Sequence, residues 1–359
     1  MNKEALSPWR MCNILLTTVS LLYPSTTPHA AETLNLLTWE QYLSEAVIQR
    51  WQAETGVRIQ QVYFDSSDRR DEVLAKPDHL IDLTVTDPLG ANRFGQPGHL
   101  ETIDESMVPN LAHVPLNWRD RCGPYGVPYL WGTLGIAYRS DRLPEAPRSW
   151  ADLLEPAHRD APHIVMMEDH EDILVGPLIH LKQPINTANE VALKAAFELL
   201  QRQSHAVLSY QYVITSLPNS EYLDQVDLAL VYSGDQRLLN DITGIDGDPW
   251  RYVVPSEGTL LWVDCLSVPA TSRNKALAYR FLDFLNKPEI AALNTAELGV
   301  ATANEAAIAL LPEAVRQDPE IYPAEVILKN SQIYRIRPTE ATQTRRRIIS
   351  ALVNAHDAR

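Results

Sequence analysis

The chain is poor in cysteine, with three in 359 residues, which excludes a disulfide-rich scaffold and paired CxxC zinc sites. It is also short of positive charge. Lysine and arginine number 31 against 46 acidic residues, a net charge of −15 at pH 7. A general nucleic-acid binder would carry the opposite sign. Beyond residue 31 there is no run of about 18 apolar residues, so the chain is not expected to span a membrane. GxSxG, GxxxxGK[ST] and a GxGxxG after a strand are all absent, which removes the commonest hydrolase, P-loop and dinucleotide signatures. No cofactor is expected, and no enzymatic activity. What remains is ample apolar mass, 45% of residues, enough for the cores of two domains rather than a disordered chain.

The first 31 residues have the layout of a signal peptide. Lys3 and Arg10 precede an apolar stretch from Met11 to Tyr23, and small residues follow at Ala30 and Ala31. Cys12 lacks a lipoprotein-like context, so no lipid anchor is expected. The reading places the mature chain in the periplasm, with a charge of −16 once Lys3, Arg10 and Glu4 are removed. Cys122 and Cys265 then meet an oxidising compartment. Pairing and two separate buried thiols both stay open, because sequence does not give the distance between them.

Strand and helix patterns alternate through the mature chain. Strands are expected at 34–38, 57–64, 81–86, 133–138, 163–168, 227–232 and 260–269. Helices are expected at 42–55, 72–76, 150–155 (stopped by Pro156), 189–200 and 274–285. The alternation implies an α/β fold with largely parallel sheets. Breaks near Gly123–Pro128 and Gly258 suggest two lobes joined by more than one crossing.

Ligands in open α/β sheets sit beyond the carboxyl ends of the strands. Those ends carry Trp39, Glu40, Gln41 and Tyr42; then Asp87; then the run from Glu168 to Asp172; then Tyr232 with Ser233, Gly234 and Asp235. Trp262 and Asp264 lie within the strand at 260–269. Aromatic faces and carboxylates together suit an organic cation, since ammonium groups gain about 0.5–2 kcal/mol from a ring face. Carboxylates also accept charge-assisted hydrogen bonds from such groups. Blander readings compete. Trp39 and Trp262 could be core, Asp82 reads as structural, and the 168–172 run could favour a helix N-terminus. No metal is expected at His170, which has no HExxH or CxxC partner. Arg345–Arg347 reads as a solvated helix face.

The chain resembles the bacterial periplasmic spermidine/putrescine-binding proteins of the extracellular solute-binding protein superfamily. The residues that carry this run from about Leu34 to about Asn330. They are Leu37-Thr38-Trp39-Glu40-Gln41-Tyr42, Pro128-Tyr129-Leu130-Trp131-Gly132-Thr133, Ser149-Trp150-Ala151-Asp152-Leu153, Leu261-Trp262-Val263-Asp264, Asn274-Lys275-Ala276-Leu277 and Phe281-Leu282-Asp283-Phe284-Leu285. The resemblance implies a two-lobed flytrap with a hinged interlobe cleft. It assigns 32–133 plus 264–310 to one lobe and 134–263 plus 311–359 to the other. It places ligand contacts on Trp39, Gln41, Tyr42, Asp87, Asp169, Asp172, Tyr232, Trp262 and Asp264. The chain departs from the family at Gln41, where an acid is expected, and at Leu89 and Val300, where aromatics are expected. Asp87 replaces a serine and adds a charge, and Tyr334 aligns loosely with a further polar contact.

Two functions follow from the resemblance. One is a polyamine receptor that serves the permease of an ABC transporter. The other is a polyamine sensor that reports to a membrane cyclic-dinucleotide enzyme and controls biofilm formation; the basic tail from Arg335 to Arg347 favours it. An exported metal enzyme built on 168–172 is a remote third.

Overall fold

The computed structural model describes residues 32–64, 66–155, 162–217 and 220–359. The signal-peptide reading and the Pro156 stop fall outside the described residues. Ten strands join one mixed sheet among those residues: β1 Thr33–Thr38, β2 Arg58–Tyr63, β3 Leu83–Thr86, β4 Val127–Arg139, β5 Ile164–Val165, β6 Val207–Ser209, β7 Leu228–Tyr232, β8 Trp250–Val253, β9 Leu261–Ser267 and β10 Ala301–Thr302. The order is β2-β1-β3-β9-β4-β7-β5-β6, with β8 and β10 also on β4.

The expectation of largely parallel sheets is overturned. The wings are parallel, β2-β1-β3 on one side and β6-β5-β7 on the other. The middle is antiparallel, because β4 and β9 run against every strand they touch. β4 belongs to both halves. Its first part, to Thr133, pairs with β9, and Leu134 to Tyr138 pair with β7. A long chain that must join two lobes through strands gains both hinge and sheet continuity this way.

The apolar residues divide accordingly. One core gathers Leu36, Trp51, Val85, Trp131, Val263 and Phe281. Another gathers Leu134, Trp150, Leu174, Leu193, Leu230, Leu260 and Ile349. The cut therefore falls between Trp131 and Leu134 on β4, and between Leu260 and Val263 at the start of β9. We keep the two-lobe division as a proposal, with the tail crossing later than 311. Leu311 packs with Ala291 and Ala307, and Ile321 lies in the first core, whereas Tyr334 and Ile348 pack on the second.

Local signals act where the sequence puts them. Ser149 caps Trp150–Leu154 in a reciprocal capping box with Asp152. Ser44 caps Glu45–Thr55, so that helix begins three residues after the expected start and leaves Tyr42 in the loop. Gly56 ends it at φ +74°, a left-handed position that glycine takes without a Cβ penalty. Asp82 is structural: buried, it accepts from the Asn35 backbone and from Ser272. Cys122 and Cys265 are disulfide-bonded with Cα atoms 5.8 Å apart, which closes the question the sequence leaves open.

Contacts cross from one core to the other. Glu320, beside Ile321, accepts from Gln236 Nε2 at 2.9 Å and from Arg251 Nε at 2.6 Å. Arg346 of the C-terminal helix Thr339–Asp357 reaches Asp68 at 3.7 Å.

Candidate functional site

Three aspartates, each held by a tyrosine, line the junction between the lobes. Asp264 lies on β9 beside the end of β3. The Tyr42 hydroxyl donates to its Oδ2 at 2.7 Å. Tyr129, in β4 where the register slips between Pro128 and Trp131, donates to the Tyr42 carbonyl at 2.9 Å. Asn294 donates in turn to Tyr129. Trp39 follows β1, packs on Phe64 with ring centres 4.3 Å apart, and supplies an indole N–H toward Asp264. Burial pushes the Asp264 carboxyl up to about 7; Asp87 adds to the rise, while Tyr42, Arg70 and Trp39 oppose it.

Asp172 is buried on the second lobe. Tyr334 donates to its Oδ1 at 2.5 Å, and Tyr232, at the end of β7, donates to Oδ2. Burial pushes this carboxyl up to about 7 as well, with Asp169 and Glu171 adding to the rise. Asp235 is the third. It opens the helix Asp235–Thr243 after Gly234, whose φ of +103° lets the chain turn there. Its Oδ2 accepts from the Tyr212 hydroxyl at 2.5 Å and the Tyr232 backbone at 2.8 Å. Burial again pushes the carboxyl up to about 7.

Trp262 connects the halves. It is two residues from Asp264 on one strand, so both side chains leave the same face. Its ring meets Tyr232 edge-on at 6.4 Å. The indole N–H is buried without a hydrogen-bond partner among the described residues. Gly132 makes room for it, since a Cβ there would strike Trp262 and Ser233. Tyr42 feels the charge of both Asp264 and Asp235, so the two lobes present carboxylates to the same space.

Most of the expected residues therefore fall into one connected set: Trp39, Tyr42 and Asp264 on one lobe, Trp262 at the join, and Tyr232 and Asp172 on the other. Three stand apart. Asp169 is exposed and accepts from the backbones of Glu171 and Asp172, so it shapes the turn that presents Asp172. Asp87 caps the helix Pro88–Gly95 and pairs with Arg70, so its charge is already answered. Gln41 is exposed at φ +54°.

Sequence reasoning placed Asp235 at a strand end and Tyr129 in a shared motif without carrying either into the ligand set, and it passed over Tyr212. The solvated reading of Arg345–Arg347 is corrected at Arg345. That side chain is fully buried, bonds the Ile185 and Thr187 carbonyls, and pairs with Glu171. Arg337 pairs with the same carboxylate at 2.5 Å. The acidic run thus divides its work: Glu171 anchors the tail, while Asp172 faces the site. Among the described residues no cluster of three or more His, Cys, Asp or Glu is arranged to hold a metal. No described helix is long and apolar enough to cross a membrane.

Comparison with known proteins bears on the family and the fold. The norspermidine sensor of Vibrio cholerae is 33% identical over 329 residues, 91% of this chain and 90% of that protein. The spermidine/putrescine-binding periplasmic protein 1 of Haemophilus influenzae is 28% identical over 312 residues, 85% of this chain and 84% of that protein. Among solved structures, a putative spermidine/putrescine ABC transporter protein from Listeria monocytogenes superposes with a TM-score of 0.77 at 24% identity, covering 90% of this chain and 99% of that one. That last likeness speaks to the two-lobed fold. The family model described as bacterial extracellular solute-binding protein matches residues 46–324, and the chain belongs to that family.

Proposed function

We propose that the protein is a periplasmic polyamine-binding protein that closes around its ligand and presents it to the permease of an ABC transporter. One observation carries the reading. Asp172 and Asp235 are buried and Asp264 is half-buried, the carboxyl of each is raised by loss of water, and among the described residues no lysine or arginine forms an ion pair with any of them. Buried carboxylates without a partner cation are costly, and ammonium groups of a ligand would remove that cost. The aromatic walls, Trp39, Trp262, Tyr42 and Tyr232, suit the methylene segments between those groups and add ring-face attraction. Asp169 and Gln41 would act at the rim, and Asp87 at one end. The names of the relatives support the same ligand class and a periplasmic location.

Calorimetry with purified mature protein tests this. Spermidine-class amines should bind, and Asp264→Asn should weaken them about tenfold or more, the loss of one charge-assisted hydrogen bond. No binding of any diamine or triamine would overturn the reading.

A second reading, a polyamine sensor acting on a membrane signalling protein, is favoured by the identity to the Vibrio cholerae sensor. The basic tail no longer supports it fully, because Arg337 and Arg345 are turned inward. Polyamine uptake that is unchanged on deletion of the gene, with altered biofilm, would select this reading over transport.

A further inference from the structure

The carboxylates of the site form a row. Asp87 and Asp264 are neighbours, because Thr86 and Cys265 are directly paired across antiparallel β3 and β9. Tyr42 leads from Asp264 toward Asp235. Tyr232 joins Asp235 to Asp172 through its backbone N–H and its hydroxyl. Three members of the row are held by tyrosines, by backbone and, at Asp264, by the Trp39 indole, with no ion pair among the described residues. The fourth, Asp87, differs. Arg70 Nη2 lies 3.3 Å from its Oδ2.

Arg70 is a built element rather than a surface side chain. It projects from the helix Ser67–Leu74, yet its side chain is only 2% exposed. Asp71 accepts from its Nε at 3.0 Å and its Nη2 at 2.9 Å. Phe64, the ring beneath Trp39, lies 5.9 Å under the guanidinium. Gly90 leaves the room it needs, because a Cβ there would come within 3.0 Å of Nη2. Asp71 also pairs with Arg93. The group of Arg70, Arg93, Asp71 and Asp87 is therefore neutral, whereas the three aspartates beyond it are not compensated.

We propose that Arg70 is a length gauge: its guanidinium occupies, beside Asp87, the place that a fourth ammonium would need, so the site takes three ammonium groups and rejects a longer amine. This deepens the polyamine reading and rests on it. A tetraamine entering the row would bring its last charge against a buried guanidinium whose partner carboxylates are already engaged. A triamine would end at Asp264, where Arg70 acts only through space and its guanidinium is engaged by Asp71 and Asp87.

The test is calorimetry of spermidine and spermine on three proteins. The natural protein should prefer spermidine about tenfold or more, since one like-charge contact in a poorly hydrated site is worth at least that factor. Arg70→Met leaves Asp71 with Arg93 and frees Asp87; spermine should gain about tenfold relative to spermidine, the worth of one charge-assisted contact. Asp87→Ser keeps a helix cap but leaves Arg70 in excess; spermidine should weaken about fivefold or more, and spermine should gain nothing. Melting curves confirm folding of each variant. Equal affinity of the natural protein for both amines overturns the gauge. So does an unchanged spermine-to-spermidine ratio in folded Arg70→Met, or unchanged spermidine affinity in Asp87→Ser. Failure of the natural protein to bind either amine is a different result, and refutes the polyamine reading itself.

Discussion

Replacing Asp172 by asparagine should make the empty protein close more readily while it captures ligand less well. With the halves in contact as they are here, burial pushes the Asp172 carboxyl up to about 7 from its ordinary 3.8. Opening the lobes removes the part of that burial which the first lobe supplies and lowers the carboxyl toward its ordinary value. At neutral pH the whole difference corresponds to about 4 kcal/mol, the upper bound on what opposes empty closure, because each tenfold change in proton affinity is worth about 1.4 kcal/mol. Asparagine carries no charge to bury, so this opposition vanishes, and its carbonyl still accepts from one of the two tyrosines. The ligand loses an ionic partner, so affinity should fall about tenfold or more. The pH dependence has a definite sign. An acid with a higher pKa in the closed form takes up a proton on closing, so falling pH favours empty closure, and the effect develops between about 7 and about 4. Spin labels at Arg69→Cys and Arg347→Cys, on the exposed rims beside the Asp68–Arg346 contact, report the gap by pulsed electron resonance. The empty Asp172→Asn protein should show a larger short-distance population at pH 7.5 than the parent. The parent should move the same way on acidification to pH 6. Identical distance distributions in variant and parent would refute the claim that buried charge holds the empty lobes apart.

Other consequences are local. Gly132→Ala would drive a methyl into Trp262 and Ser233, so polyamine affinity should drop about tenfold while melting falls only a few degrees, a modest overpacking penalty. Titration calorimetry beside a melting curve separates the two effects. Glu171→Gln would leave Arg337 and Arg345 buried with no counter-charge, and denaturant unfolding should show a loss of about 3 kcal/mol or more. Reduction of the Cys122–Cys265 bond, which spans 143 residues, should lower stability by about 3–5 kcal/mol through release of the unfolded chain. Urea curves with and without reductant measure it.

What the sequence made legible was whatever a strand end carries. Trp39, Asp172, Tyr232 and Asp264 are each found at or beside an apolar run, and period-two geometry places them without knowledge of the partner strand. The parallel wings were equally readable, because buried strands between helices show continuous apolar runs. The antiparallel centre was not, since β4 and β9 look like any other strand until their partners are known. Asp235 was hidden by its own position: an acid in the first turn of a helix has an ordinary reason to be there. The arginines were hidden by their company. Arg70 lies in Ser67-Asp68-Arg69-Arg70-Asp71-Glu72, a stretch with no apolar residue to mark a buried face; Arg345 opens a run of three and read as solvated, although it shares a helix face with Ala341, Ile348, Ile349 and Leu352. Burial of one member of a charged run depends on a carboxylate from elsewhere in the chain, Asp87 for Arg70 and Glu171 for Arg345. The first pair lies 17 residues apart and the second 174, so neither shows up in a local pattern. Charge at this site is therefore decided by long-range pairing. A reading that counted acids alone would credit the ligand with Asp87, which the protein has already neutralised for itself.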